Sequence, residues 1–257
     1  MGRSDEKTNR TGERFITNEG YEIVIVEYNS NKNVWVEFQD EHKTRVQIEY
    51  ACCKKGMVRN PCHKSVYGVG YFGQGKYKCK VDGKNSKYYN HWHNMMQRCY
   101  DEKCREKYPT YKDCFVNEEA HCLQDFGAWF DENYYEIEGE QMELDKDILC
   151  KGNKEYSFDK MIFVPKRIND LFTKCDRVRG DLPIGIYYKK SSNKYVAQCS
   201  IIEGRKHIGY FNTPEEAFQA YKEFKEAYIK QVADEYKGRI PDRLYDAMYR
   251  YEIDIND

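Results

Sequence analysis

Short segments in which apolar and polar residues alternate occur near both ends of the chain, with a stretch of helical periodicity between them. Near the N-terminus these segments read YEIVIVEY, NVWVEF and TRVQIEY, and polar turn-forming residues separate them. Alternation with a period of two is typical of half-buried β-strands, and strands this short are typical of small barrels or meanders. The pattern predicts an α+β protein, and 257 residues can hold two or three small domains.

The order of the patterns predicts five consecutive regions. Residues 1–13 are polar and expected to be disordered. An SH3-like β domain follows over residues 14–62, and a turn-rich, irregular connector over residues 63–86. We expect an α-rich central domain over residues 87–175 and a C-terminal domain over residues 181–251, with a basic linker between them.

Helical spacing in the central domain is clearest just after residue 87. The apolar residues that recur there at helical intervals are Trp92, Met95, Met96, Cys99 and Tyr100. A second helical stretch is predicted over residues 118–135.

The eleven cysteines are an odd number and suggest thiols rather than a disulfide framework. Two groups contain enough sulfur and imidazole ligands for zinc: Cys52, Cys53, Cys62 and His63, or Cys99, Cys104, Cys114, His121 and Cys122. Neither group has the paired C-x-x-C spacing of a structural zinc site, so the sequence argues against zinc.

The chain contains no apolar run of 18 residues, and its first 14 residues are polar. We therefore expect neither a membrane span nor a signal peptide, and a cytoplasmic location.

A net charge of −1 conceals a segregation of charge along the chain. Residues 115–145 contain ten acidic and no basic residues, whereas residues 146–180 contain nine basic and five acidic ones. Two interpretations remain open. The acidic stretch is either a solvated helical face or a surface for a protein partner, while the basic half faces phosphates through a local, salt-sensitive contact.

The segment LDKDILCKGNKEYSFDKMIFVP, residues 144–165, combines several features of a catalytic finger. Asp145 and Asp147 follow an apolar approach, a Gly152-Asn153 turn comes next, and an apolar run over residues 162–164 closes the unit. This outline resembles the ββα-metal finger of HNH-type (His-Me finger) nucleases. Lys146 occupies the position at which that finger carries its central histidine.

The resemblance extends over most of residues 89–172. The segments that carry it are HWHNMMQRCYD, PTYKDCFV, FGAWFDENYY, LDKDILCKGNKEYS and FVPKRINDLF. Together they are similar to phage and prophage proteins known as HNH endonucleases, which mobile elements encode and which combine a finger with DNA-binding modules. The resemblance implies a DNA-binding protein that acts in the cytoplasm of a bacterial host.

A working finger of this family uses a general base and a divalent metal to hydrolyse a DNA phosphodiester. By position, the resemblance implies catalytic roles for Asp145, Lys146, Asp147 and Asn153, with Asn153 bracing the loop. It implies that Asp145, Asp147 and a helix-side Asp159 hold Mg²⁺. The alternative is that Asp145, Lys146 and Asp147 form a salt-bridged turn in a finger without catalysis.

The C-terminal region reads GIYY, KYVAQC and HIGYFNTPEEAFQAY, which predicts three strands and a helix. Thr213 is the expected N-cap, Pro214 the first helical residue and Glu216 the third. This arrangement resembles an AP2-type DNA-binding domain, in which the sheet face opposite the helix enters the DNA major groove.

Strand alternation divides the AP2-like residues between two faces. Ile186, Ala197 and Cys199 are expected to face the helix. The resemblance implies that the opposite face contacts double-stranded DNA, with phosphates held by basic residues that include Lys206. The predicted DNA-binding residues are Tyr187, Lys189, Lys190, Lys194, Gln198, Arg205 and His207, with Ser200 on the same face.

Three functional hypotheses follow from the sequence. The first is a metal-dependent HNH-like DNA endonuclease, and the second is a DNA-binding or regulatory protein on the same scaffold without catalysis. The third is a phage protein that inhibits a host defence system by protein contact through the acidic residues 115–145.

Overall fold

The protein is described by a computed structural model that covers residues 9–173, 182–202 and 204–255. It is a mixed α+β structure, as predicted, with several small sheets. The chain forms two compact units, one of Met1–Pro109 with Glu118–Ala128 and the other of Thr110–Asn117 with Trp129–Asp257. The basic linker predicted before residue 181, and most of the predicted N-terminal disorder, lie outside the described residues.

The first unit begins with an antiparallel sheet whose strands follow each other in chain order. They are β1 (Arg14–Ile16), β2 (Glu22–Ser30), β3 (Asn33–Phe38) and β4 (Arg45–Ile48). The alternation predicts the buried face correctly, because Ile23, Ile25, Val34, Val36 and Phe38 are all inaccessible to solvent. Strand β1 was not predicted, since three residues are too few to show a period. Helix α1 (Tyr50–Lys54) follows the sheet, and its Cys53 completes the core.

The remainder of the first unit is a hairpin and three helices. The elements are β5 (Lys80–Val81), β6 (Lys84–Asn85), α2 (Lys87–Tyr100), α3 (Glu102–Lys107) and α4 (Leu123–Asn133), of which α4 continues into the second unit. The hairpin lies in the segment that we predicted to be irregular. Ser86 caps α2, and the predicted stripe is buried from Trp92 to Cys99, with the Trp92 indole donating to the Ala120 carbonyl at 2.9 Å.

Among its described residues, the second unit contains three small sheets and three further α-helices. Its strands are β7 (Phe115–Val116), β8 (Met142–Asp145), β9 (Glu155–Tyr156), β10 (Ile162–Pro165), β11 (Ile186–Lys189), β12 (Lys194–Ile201) and β13 (Gly204–Phe211). Its helices are α5 (Lys166–Phe172), α6 (Pro214–Glu235) and α7 (Asp242–Tyr249). Strand β7 pairs with β9 in parallel, β8 pairs with β10 antiparallel, and β11, β12 and β13 form an antiparallel sheet.

Helix α6 packs on two cores in succession. Its first half, through Ala217 and Tyr221, shares a core with the β11–β13 sheet. Its second half, through Ile229 and Val232, shares a core with β10, α5 and α7. The finger-like segment and the β11–β13 sheet therefore pack along one continuous helix of 22 residues.

The start of α6 follows the sequence prediction. The Thr213 hydroxyl accepts from the Glu216 N–H at 3.2 Å, and Pro214 is the first helical residue. The Glu216 carboxylate in turn accepts from the Asn212 N–H at 3.1 Å. This reciprocal cap fixes the direction in which the chain leaves β13 and enters the helix.

Within the ranges that the structure describes, no helix is both long and apolar enough to cross a membrane.

Two glycines of the second unit provide a test of the packing between α6 and the residues that lead into the β11–β13 sheet. Gly185 and Gly152 both have positive φ, at 78° and 80°, but only at Gly185 would a Cβ overlap the Tyr221 ring. Around Gly152 nothing lies within 4 Å. We expect Gly152→Ala to lower the free energy of unfolding by about 1 kcal/mol and Gly185→Ala by about 3 kcal/mol or more. Urea unfolding followed by circular dichroism measures both, and equal losses would contradict the packing.

Candidate functional site

The finger-like segment forms two antiparallel strands and a helix. In the β8–β10 pair, Asp145 lies opposite Ile162, and residues 146–161, a loop that includes the short strand β9, join the two strands. Helix α5 follows β10 directly. The chemistry-bearing residues of the segment therefore lie in one loop at the end of β8.

Asp145 organises the start of this loop. One of its carboxylate oxygens accepts from the Asp147 N–H and the Ile148 N–H, each at 2.8 Å. Burial, and next the nearby Asp147 carboxylate, raise the pKa of Asp145 to about 6. The side chain thus closes a tight turn.

Lys146 is buried, with 5% of its surface exposed. Its ammonium donates to the Asp147 carboxylate at 3.1 Å and to the Asn153 carbonyl at 2.8 Å. It also lies 5.8 Å from the centre of the Tyr156 ring. A buried cation must be paired to be tolerated, and this one is paired within its own loop. Lys146 and Asp147 thus form a salt bridge within the turn.

Asn153 braces the loop from the other side. Its amide donates to the Lys146 carbonyl at 2.7 Å and to the Glu155 carbonyl at 2.6 Å, and its oxygen accepts from the Glu155 N–H at 3.2 Å. Both ends of the amide are thus committed to backbone groups of the loop.

Asp159 does not lie on a helix, contrary to the sequence expectation. Residues 157–161 form a turn in which the Lys160 and Met161 N–H groups both donate to the Ser157 carbonyl. The Ser157 hydroxyl donates to the exposed Asp159 carboxylate and holds its pKa below the ordinary value. Because β10 begins immediately after this turn, Asp159 belongs to the loop rather than to α5.

The residues do not fit the implied Mg²⁺ site as they are arranged. Asp145 accepts two backbone N–H groups through one oxygen, and Asp147 faces the Lys146 ammonium. In the part of the chain that the structure describes, no three His, Cys, Asp or Glu side chains are grouped to hold one ion. This includes the described members of both cysteine–histidine groups considered for zinc. Binding of Mg²⁺ stays a prediction.

The second cluster of predicted residues lies on the β11–β13 sheet. Helix α6 covers one face of this sheet, and Ile186, Ala197 and Cys199 are buried against it, as the alternation predicts. The opposite face carries residues that pair across the strands: Tyr187 with Val196, Lys189 with Lys194, Gln198 with His207 and Ser200 with Arg205. We call this the open face.

Two tyrosines form the centre of the open face. Tyr187 and Tyr210 flank the buried Val196 in the strand register and are 45% and 50% exposed. The Lys189 ammonium donates to the Tyr210 hydroxyl at 3.0 Å, which raises the pKa of Lys189, and lies 5.1 Å from the ring centre. The His207 ring centre is 4.8 Å from that of Tyr210. Aromatic surface and positive charge are thus held together.

The sequence analysis missed Tyr210 because of an irregularity in β13. Ala197 pairs with Gly209 but Gln198 pairs with His207, so Ile208 is an extra residue in the ladder. Such a bulge changes the side to which the following residues point, and simple alternation cannot detect it. Tyr210 is therefore on the open face beside His207.

Two predicted phosphate contacts lie away from the open face. Lys190 is exposed in the turn after β11, at the end of the sheet. Lys206 pairs with Cys199, so the strand register assigns it to the helix-facing side. Lys194 remains on the open face and donates to the Asn212 side chain.

The acidic residues predicted to contact a protein partner are mostly solvated. Seven of the ten in residues 115–145 are exposed: Glu118, Glu119, Asp125, Asp131, Glu132, Glu136 and Glu138. Only Asp125, Asp131 and Glu132 lie in α4, and the exposed residues as a set do not define a binding site. The protein partner stays a prediction.

Comparison with protein-family models, with curated proteins and with solved structures gave no match to this chain. The resemblances to HNH and AP2 proteins therefore rest on the sequence motifs alone.

The raised pKa of Asp145 predicts a pH-dependent stability. Because the folded chain binds this proton more tightly than the unfolded chain, Asp145 contributes stability below the ordinary pKa of 3.8, and this contribution is lost as pH rises through about 6. Relative to Asp145→Asn, the wild-type free energy of unfolding should fall by about 2 kcal/mol between pH 4 and pH 7.

Urea unfolding at a series of pH values measures this difference. Asp147→Asn is the matched control. Removing the Asp147 charge should bring the pKa of Asp145 closer to its ordinary value, so the difference in stability should develop over a narrower pH range. Parallel curves for the wild type and Asp145→Asn would show that the Asp145 carboxyl has an ordinary pKa.

Proposed function

We propose that this protein binds double-stranded DNA through the open face of the β11–β13 sheet, and that the finger-like loop is a structural scaffold without metal-dependent cleavage. The observation that carries the proposal is the exposed cluster of Tyr187, Tyr210, His207 and Lys189 on a face that α6 leaves uncovered. The AP2-like assignment of this unit, the SH3-like assignment of β1–β4 and an origin in a phage or mobile element belong to the same proposal.

The chemistry of the open face suits a duplex. Lys189, Lys194 and Arg205 provide positive charge for phosphates, which position a protein on DNA without reading its sequence. Gln198 lies on the same face, on the central strand, and a glutamine amide can pair with adenine in the major groove. The exposed tyrosines offer contact area at low entropic cost, since their side chains have few rotatable bonds.

The hydrogen bonds that the polar groups of the finger-like loop make within the loop support the scaffold role. The groups expected to act on a phosphodiester are committed to the loop: Asp145 to two N–H groups, Lys146 to Asp147 and to the Asn153 carbonyl, and Asn153 to the Lys146 and Glu155 backbone. The same bonds hold β8 in register for β10, whose Val164 packs in the core that includes α6.

Two lysine–tyrosine pairs of matched geometry test the open face. Lys189 lies over the Tyr210 ring at 5.1 Å, and Lys107 lies over the Tyr108 ring at the same 5.1 Å, with Tyr108 48% exposed. At about 0.1 M salt, Lys189→Ala plus Tyr210→Ala should weaken duplex binding by about tenfold or more and reduce the salt slope by about 1.

Fluorescence anisotropy with a labelled duplex measures both quantities. Lys107→Ala plus Tyr108→Ala is the control and should bind like the wild type. An equal loss in the two variants, or full affinity in the open-face variant, would overturn the assignment of the open face.

The scaffold role of the loop predicts that DNA is bound but not cut. Supercoiled plasmid incubated with the protein and Mg²⁺ or Mn²⁺ should show no more nicking than with Asp145→Ala plus Asp147→Ala. Metal-dependent nicking that disappears in this variant would establish the endonuclease hypothesis instead. If the chain binds no DNA at low salt, the hypothesis of a protein partner at residues 115–145 replaces both.

A further inference from the structure

We infer that a lysine-rich segment of the first unit, residues 76–87, is a second contact for DNA phosphates. We call this segment the lysine arm. It reads KYKCKVDGKNSK and includes strands β5 and β6. The inference rests on the proposed function, the binding of duplex DNA, but it concerns a different surface from the open face.

The lysine arm concentrates positive charge in a nearly neutral chain. Its twelve residues contain five lysines and one aspartate, whereas the whole chain has a net charge of −1. The lysines Lys76, Lys78, Lys80, Lys84 and Lys87 are all exposed. Tyr77 and Cys79, which alternate with the first three lysines, are half-buried. Along residues 76–80, one side therefore contacts the protein and the other carries exposed lysine side chains, of which Lys78 also donates to the Gly75 carbonyl at 3.1 Å. Lys84 pairs with the exposed Val81 and lies on the opposite face of the hairpin.

The tip of the arm is a tight hairpin. Lys80 pairs with Asn85 and Val81 pairs with Lys84, so two residues, Asp82 and Gly83, make the turn. Both have positive φ, at 51° and 77°, as a two-residue turn with the right-handed twist of a hairpin requires. The backbone at the tip is thus in a defined conformation.

A glutamine of α4 anchors the start of the arm. The Gln124 amide oxygen accepts from the Tyr77 N–H at 3.0 Å, and its nitrogen donates to the Tyr77 carbonyl at 3.0 Å and to the Phe72 carbonyl at 2.9 Å. A Cβ at Gly127, one turn along the same helix, would overlap the Tyr77 ring, so the ring lies directly on the helix backbone.

A second set of bonds ties the arm to the start of α2. The Ser86 N–H donates to the Cys79 carbonyl at 2.9 Å, and the Ser86 hydroxyl donates to the Lys78 carbonyl at 3.0 Å. The Tyr88 hydroxyl donates to the same carbonyl at 2.7 Å and accepts from the Lys78 N–H at 2.8 Å. The arm is therefore held at both ends, and binding would cost little ordering of its backbone.

Duplex DNA fits this arm better than the common structural explanation for exposed lysines. Lysines on short edge strands discourage pairing with other chains, which accounts for Lys80 and Lys84. It does not account for Lys76, Lys78 and Lys87, which lie outside both strands. A two-stranded ribbon fits the major groove of B-DNA, and its flanking lysines would then face the phosphates on either side.

Charge reversal at the tip tests the inference in the full chain. Lys80→Glu plus Lys84→Glu should weaken duplex binding by about tenfold or more at about 0.1 M salt and reduce the salt slope by about 2. The control is Lys32→Glu plus Lys103→Glu, which makes the same change of charge at two exposed lysines of the same unit. The control should change affinity by less than about threefold. Thermal unfolding, and the milder Lys80→Gln plus Lys84→Gln, check that the tip variant is folded.

The outcomes separate the arm from the open face. If the tip variant and its control bind alike, the arm makes no contact, and the open-face proposal is unaffected. If the tip variant loses affinity while Lys189→Ala plus Tyr210→Ala does not, the arm is supported and the open face is not. A chain that binds no duplex at low salt, or that prefers polyglutamate to duplex, overturns the arm proposal.

Discussion

The packing of helix α6 on two cores is the constraint on which the second unit depends. One end of the helix closes the β11–β13 sheet, and the other end covers the strands and helix of the finger-like segment. Between the two cores, Lys225 is buried, donates to the Ser200 carbonyl at 3.4 Å and has a pKa lowered by burial. Because both halves of α6 are packed against a core, the helix covers one face of the β11–β13 sheet and leaves the other face open.

The polar residues of the finger-like loop are paired within the loop itself. The Asp145 carboxylate accepts from the Asp147 and Ile148 N–H groups, and the Lys146 and Asn153 side chains each donate to the other's backbone carbonyl. A buried polar network of this kind is stabilising only when every member is paired, since an unpaired buried charge is costly. Lys146 is therefore an integral part of the loop that contains it.

Much of the fold was predictable because its signals are local. Strands β2 and β3 follow from period-two alternation, α2 from its apolar stripe and the start of α6 from Thr213 and Pro214. The hairpin of the lysine arm was missed, although its Asp-Gly turn is a local signal, because each strand has only two residues. The predicted site residues were brought together only in part: Asp159 lies in a turn, and Lys190 and Lys206 lie off the open face.

The sequence by itself determined the short strands, the capped helices, the segregation of charge and the residues able to contact phosphates, since these depend on neighbours within a few positions. Only the tertiary structure decided how those residues are used. The bulge at Ile208 placed Tyr210 on the open face, and burial with pairing turned Lys146 into a structural cation. Such outcomes depend on strand register and on burial, which are set by residues far apart in the chain and leave no periodic signal along it.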